Sequence, residues 1–342
     1  NGKRIMMGPA RGTVHYAFVD AVDLSPKLRE GNNLLAVEVC YYPDNTPAVL
    51  QHEFPPVDPG LTLSVTVGDS MLFGLDGQWR MTDVDAYETD TSWARGQLSE
   101  HLHAGGYPTG WMTPPFDDKA WKELNVDHVL PAPFELRPRP TPLPVIHVRP
   151  PARIVDVGCL SFPETYLTEP IPAGKLAWFG KQGDWQGDMS VEERVRTPRE
   201  LDHLQYRRVC TAVTGGGLAD SPEQLLEDGQ GALTLRGTAT SGGYAVYDLG
   251  DMIAGVGSVD VTLPEGARLD IALMDWLAPD SGAPDDGWER LCSAMVGYGV
   301  ITLIGNGERI RFTGMQIHTF RFICLAARDL KEGESIRSMR RA

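Results

Sequence analysis

Eight prolines fall between Pro131 and Pro151, in PAPFELRPRPTPLPVIHVRPP. Each fixes φ and removes a backbone N–H, so the stretch can be neither helix nor central strand. It reads as an extended, semi-rigid connector over the surface, and it divides the chain. The division predicts one domain over residues 1–148 and a second over 149–342, close to the roughly 150 residues of an ordinary domain. Across all 342 residues, 37 glycines and 26 prolines leave little room for long helices and favour many short strands.

Strand signals lie on both sides of the connector. Asn32–Cys40 follows a Gly31-Asn32 turn, Leu61–Val67 alternates apolar and polar as a half-buried strand does, and Gln78–Thr82 adds another. Beyond the connector come Gly231–Leu235, Gly243–Leu249, Gly257–Leu263 and Leu269–Met274, with Pro264-Glu265-Gly266 as a tight turn. Gly299–Ile304 and Glu308–Phe312 flank Asn306-Gly307, a pair suited to a type I′ hairpin turn. His318–Ala326 is a further strand. Strands at this spacing without interleaved helices predict an all-β chain of two antiparallel sandwiches with little helix. Ser221–Asp228, with serine at the N-cap and proline at the first position, predicts one short helix, and Ser190–Arg196 another.

Lys+Arg 31 against Asp+Glu 46 gives a net charge of −15, which repels a phosphate backbone and excludes nucleic acid as an expected partner. The longest apolar stretches, such as Val296–Ile304, fall far short of the ~20 residues a bilayer needs, and no membrane partner is expected. The first ten residues lack the layout of a secretory signal. Cys40, Cys159, Cys210, Cys292 and Cys324 are odd in number and lack C-x-x-C spacing. They read as buried free thiols, which favours a reducing, cytoplasmic setting over a periplasmic or secreted one.

The motifs that could carry chemistry are few. Gly255-Val256-Gly257 lacks the third glycine of a dinucleotide fingerprint, since Asp260 stands there, and Thr214-Gly215-Gly216-Gly217 lacks a P-loop lysine. No cofactor is expected. His101 and His103, two apart beside Glu100, would share one strand face, either as metal ligands or as ordinary histidines, and no metal site is assigned. Asp275, Asp280, Asp285, Asp286 and Glu289 crowd one loop without EF-hand spacing, so calcium and a solvated acidic loop both remain readings. Trp93, Trp111 and Trp121, of eight tryptophans, lie near turns in the first domain, where they serve either the core or the apolar face of a sugar. No nucleophile elbow or Ser/His/Asp set occurs. The residues alone show no catalytic site and leave any sugar-binding residues unassigned.

Several blocks nevertheless resemble one family. Tyr16-x-Phe18-x-Asp20, Asp23-Leu24-Ser25 and Leu28-x-x-Gly31-Asn32-Asn33-Leu34-Leu35-Ala36-Val37 are similar to the N-terminal domain of bacterial α-L-rhamnosidases of glycoside hydrolase family 78. Phe116-Asp117-Asp118-x-x-Trp121 and Arg137-Pro138-x-Pro140 fit the same galactose-binding-like jelly roll. Tyr247-Asp248-Leu249-Gly250-x-x-x-Ala254-Gly255, Leu263-Pro264-Glu265-Gly266-Ala267, Gly305 through Phe312 and His318-x-Phe320-Arg321-Phe322 resemble the family's next β-sandwich. The resemblance implies a chain that begins inside its first domain and ends, after Asp329–Ala342, where the family's (α/α)6 catalytic barrel starts. The family's acid and base belong to that barrel, so the resemblance places no catalytic residue here. It implies two partners, the chain's own catalytic barrel and a rhamnosylated carbohydrate.

Three readings follow. The chain is the accessory part of an inverting rhamnosidase, a stand-alone carbohydrate-binding module, or a structural β protein that shares only the fold.

Overall fold

The computed structural model of the chain describes residues 2–10, 12, 16–40, 60–76, 78–89, 100–124, 135–162, 211–275, 277 and 300–339. Among the described residues the chain is all-β, with 45% strand and no helix of seven residues or more. It packs as two compact units, Asn1–Asp85 with Pro108–His147, and Ala86–Tyr107 with Val148–Ala342. The 1–148 assignment put Ala86–Tyr107 in the first domain, but by packing it belongs to the second unit. The cause is a ladder no local pattern reveals. β6 (Glu100–His103) runs parallel to β16 (Val300–Ile304), with Glu100 opposite Ile301 and His103 opposite Ile304.

In the first unit the strands are short. β1 (Tyr16–Val19) pairs with β8 (Glu135–Pro138) in parallel, not antiparallel as expected. Proline is tolerated in β8 because the sheet has only these two strands and Pro138 closes it. β2 (Ser64–Val67) and β3 (Ser70–Gly74) form a hairpin about Gly68, whose φ of 57° suits glycine. β4 (Arg80–Met81) pairs with β7 (Lys122–Glu123). Asn32–Cys40 joins no ladder. Its start is bent by Asn33, whose amide donates to Arg29 O at 2.9 Å and Gly31 O at 3.1 Å, a local bond that competes with strand pairing.

The second unit holds the remaining described strands in one branched sheet. β5 (Tyr87–Thr89) and β6 edge a set that continues through β16, β15 (Arg268–Met274), β18 (His318–Arg328) and β13 (Ser241–Gly255) to β9 (Arg153–Ser161) and β10 (Thr211–Thr214). A second set runs β11 (Ala219–Asp220), β12 (Ala232–Thr238), β19 (Ser335–Met339), β14 (Ser258–Thr262) and β17 (Arg309–Thr313). The two join at the β12–β13 turn, where Gly237 faces Gly242. A side chain at Gly242 would meet the Ala327 carbonyl at 1.8 Å, so only glycine fits there.

Two expectations fail in an instructive way. β16 and β17 do not form a hairpin about Asn306-Gly307: β16 pairs with β15 and β17 with β14. The connection is pinned instead to the preceding turn, with Gly305 N donating to Ala267 O at 2.8 Å and Gly307 N to Leu263 O at 3.0 Å. Those bonds send the chain from one strand set to the other. The helix expected at Ser221–Asp228 is only a 3-10 turn over Pro222–Leu225. Ser221 sits left-handed at φ 54°, where its hydroxyl makes no cap, and Gln224 Oε1 accepts N–H bonds from Gln230 and Gly231 that fold the chain back. The Ser190–Arg196 helix lies outside the described residues.

β13, β15 and β18 are buried on both faces. On one face Leu160, Tyr244, Val246, Ala272, Cys324 and Ala326 form an apolar cluster. On the same face Arg328, fully buried, donates to Asp270 through Nε at 2.6 Å and Nη2 at 3.0 Å, and Thr302 Oγ1 adds a bond at 2.7 Å. This triad ties β18, β15 and β16. Arg328→Met strands the Asp270 carboxylate in the core and is expected to cost about 3–5 kcal/mol, whereas Arg328→Met with Asp270→Leu should recover most of it. Denaturant titration of the single and double variants checks this.

Candidate functional site

The histidine pair resolves into structure. Glu100 is buried and accepts N–H bonds from Met315, at 2.9 Å to both oxygens, and from Gln316 at 3.0 Å, fixing the loop between β17 and β18. His101 is buried opposite Thr302 in the β6–β16 ladder, and His103 is half-buried. Among the described residues no three His, Cys, Asp or Glu side chains could hold a metal. The acidic loop beyond Asp275 lies outside the described residues, apart from Leu277. Cys40 is exposed rather than buried, Cys159 half-buried and Cys324 buried, with burial pushing the Cys324 thiol far up. No described helix is long and apolar enough to cross a membrane.

Of the tryptophans singled out, Trp93 lies outside the described residues, while Trp111 and Trp121 come together. Their rings are 6.5 Å apart and tilted by 38°, and Phe116 packs edge-on to Trp121 at 5.3 Å. The loop that carries them is shaped by successive turns: Thr113 N donates to Gly110 O at 2.9 Å, Phe116 N to Thr113 O at 3.0 Å, and Trp121 N to Asp118 O at 2.9 Å. Asp117 is the hinge of the last turn, its carboxylate accepting the Lys119 N–H at 3.2 Å. The Arg80 guanidinium braces the same turn at the Asp118 and Lys119 carbonyls. All three rings are half-buried, with the exposed Asp117 carboxylate beside them. Half-exposed aromatic faces are suited to holding a sugar ring. This cluster is the candidate binding site, and it belongs to the first unit alone.

What the sequence reading missed is a set of carboxylates clamped by arginine. Asp248, fully buried, accepts from Arg321 at 2.8 and 2.9 Å, from Arg153 at 3.0 and 2.8 Å and from Gly250 N at 2.8 Å. The Arg321 bonds lead the causes that hold its carboxyl well below the usual range, against the opposing effect of burial. At Asp260 burial alone would raise the carboxyl, but Arg309 and Arg311 outweigh it and leave it lowered. Asp20 and Arg139 form a fork-to-fork pair, and Asp329 pairs with Arg268 at 3.1 Å. Tyr244 donates to Asp156 at 3.0 Å from within the apolar cluster. The signal for Asp248–Arg321 was present, since each stands inside a block that carries the family resemblance, but nothing local said that the two would meet.

No family model matches the chain, and no curated protein does. Solved structures do. A crystal structure of a GH78 family rhamnosidase of Bacillus sp. GL1 matches with a TM-score of 0.66 at 14% identity, over 99% of this chain and 49% of that one. An α-L-rhamnosidase from Dictyoglumus thermophilum matches with a TM-score of 0.30 at 16% identity, over 80% of this chain and 21% of that one, a score too low to equate folds. The first match shows the fold: the chain is built like the part of the Bacillus protein that it covers. It spans about half of that protein's length.

His318 gives this region a pH signature. Burial pushes its imidazole down to about 4, from about 6.5 when unfolded. Between those values the unfolded chain binds a proton that the native chain does not, so stability falls as pH drops from about 6.5 to about 4 and levels below. Urea midpoints at pH 7.5 and 5 should separate clearly in the natural chain, and His318→Gln should narrow the gap.

Proposed function

We propose that the chain is the non-catalytic β portion of a rhamnosidase-like glycoside hydrolase, whose whole protein removes terminal α-L-rhamnose from glycosides or polysaccharides. The observation that carries the reading is the fold match over nearly the whole chain to about half of a rhamnosidase. The state of the buried carboxylates supports it. An inverting glycosidase needs an acid of raised pKa and a second carboxylate roughly 6.5–9.5 Å away that activates water. Asp248 and Asp260 are displaced the other way, held ionised by arginines, and Asp20 and Asp270 are closed in fork-like pairs. Asp248 and Asp260, lowered in this way, have no proton to donate at neutral pH.

A second reading, a carbohydrate-binding module in its own right, is favoured by the Trp111, Phe116 and Trp121 cluster. Both readings expect no turnover by this chain alone. Purified chain should release no nitrophenol from p-nitrophenyl α-L-rhamnopyranoside, while a version extended through the sequence encoded downstream of Ala342 should. Hydrolysis by the short chain that vanishes on replacing one of its own carboxylates would overturn the assignment.

A further inference from the structure

The solvent face of the five-strand set β11–β12–β19–β14–β17 carries a pattern that neither the fold nor the proposed function uses. Its other face is dry: Leu233, Leu235, Val259, Val261, Ile310, Phe312 and Ile336 are buried. Side chains alternate across a sheet, so the intervening residues point to solvent. In register, Arg309 lies opposite Thr262, Thr262 opposite Arg337, Arg337 opposite Thr234, and Thr234 opposite Asp220. One row thus alternates guanidinium and hydroxyl across four strands and ends on the Asp220 carboxylate of the fifth. Arg311 stands two residues from Arg309, and Arg236 lies opposite Ser335 on the same face.

Four guanidinium groups stand on this face against two carboxylates. Asp260 is held by Arg309 and Arg311, and Asp220 by Arg236. Among the described residues Arg337 forms no ion pair, and it is exposed. The face is therefore positive in a chain of net charge −15. A ligand on it feels these groups and little of the distant acids, because the Debye length is only about 8–10 Å.

We propose that this face binds an anionic polysaccharide. Neighbouring strands are about 4.8 Å apart, so the backbones of Arg309 and Arg337 stand about 10 Å apart with Thr262 between them, while the Arg309 guanidinium leans to Asp260. That spacing suits a chain whose negative groups are sparse and separated by hydroxyls. A duplex, with one charge per about 1.7 Å, would bring many uncompensated phosphates against an acidic protein. A protein partner would need apolar anchors to desolvate, and the face offers only the half-buried Met339 in their place. Carboxylated and sulfated glycans present the same chemistry, and guanidinium takes either.

The site does not rest on the rhamnosidase assignment, and its test reads binding without hydrolysis. The full chain is run in native gels containing polygalacturonate, dextran sulfate or neutral dextran. Retardation by either anionic polymer, weakened by added salt and absent in neutral dextran, is expected, and the arm that retards more tells carboxylate from sulfate. Arg337→Gln should weaken retention roughly fivefold, the scale of one exposed ion pair, and Arg309→Gln with Arg337→Gln further, with unchanged melting temperature for the single variant. Arg149→Gln, in the segment before β9 where Arg149 pairs with Asp251, should bind as the natural chain does. No retardation by either anionic polymer, equal retention of the Arg337 variants, or equal weakening by Arg149→Gln would overturn the proposal.

Discussion

A buried arginine is the most costly side chain in the second unit to leave unmatched, and the centre of the sheet is arranged so that Arg328 never is. Two ionised groups in an apolar interior are tolerated only when their donors and acceptors are filled. Asp270 receives two bonds from Arg328 and one from Thr302, each from a neighbouring strand. A one-residue slip of β15 against β18 would swing Asp270 to the opposite face and leave both charges bare. The triad therefore fixes register, and the apolar cluster on the same face depends on that register. Ala272 faces Cys324 and Val246 faces Cys324 from the other side only if Asp270 faces Ala326.

The same device recurs toward the surface. Asp248, Asp260 and Asp20 are each closed by an arginine far away in sequence, 73, 49 and 119 residues distant. Guanidinium suits this role because its planar fork meets a carboxylate at two points, where an ammonium would meet it at one. Most of these pairs are only partly buried, so each contributes modestly to stability, and their larger effect is on geometry. It also settles what the carboxylates do. An acidic chain with many Asp and Glu residues looks rich in acid–base candidates, yet Asp20, Asp248, Asp260 and Asp270 are committed as joints.

Strands were legible in the sequence; their partners were not. Alternation and glycine punctuation marked β12 to β18 nearly where they lie, because burial on a sheet face leaves a period of two. The Asn306-Gly307 pair carried a hairpin signal, and four long-range hydrogen bonds between residues 305–308 and the β14–β15 turn overrode it. β6 escaped notice as part of the second unit because its partner is about two hundred residues away. Asn32–Cys40 had strand composition but a turn-forming Asn33 at its start. Of the candidate binding cluster, Trp111 and Trp121 were singled out by residue type, whereas Phe116, which packs between turn and ring, was visible only as part of a family block. The arginine row was invisible, since Arg309, Arg337 and Arg236 belong to three strands and meet only through register.

The two surfaces differ in what they ask of a ligand. The Trp111 cluster sits on a loop held by single turn hydrogen bonds, and it offers stacking area, which rewards a sugar with an apolar face whatever its charge. The arginine row sits on a ladder whose inner face is dry, so its spacing is set by backbone geometry and not by loop conformation. Charges held at fixed intervals discriminate by pattern, because a polymer with mismatched spacing must leave guanidiniums solvated or bend to reach them. Stacking without a pattern gives tolerance, and charge with a pattern gives selectivity. Arg309 and Arg337 keep that interval because the sheet beneath them is fixed by the core, and the core is fixed by where Asp270 must face.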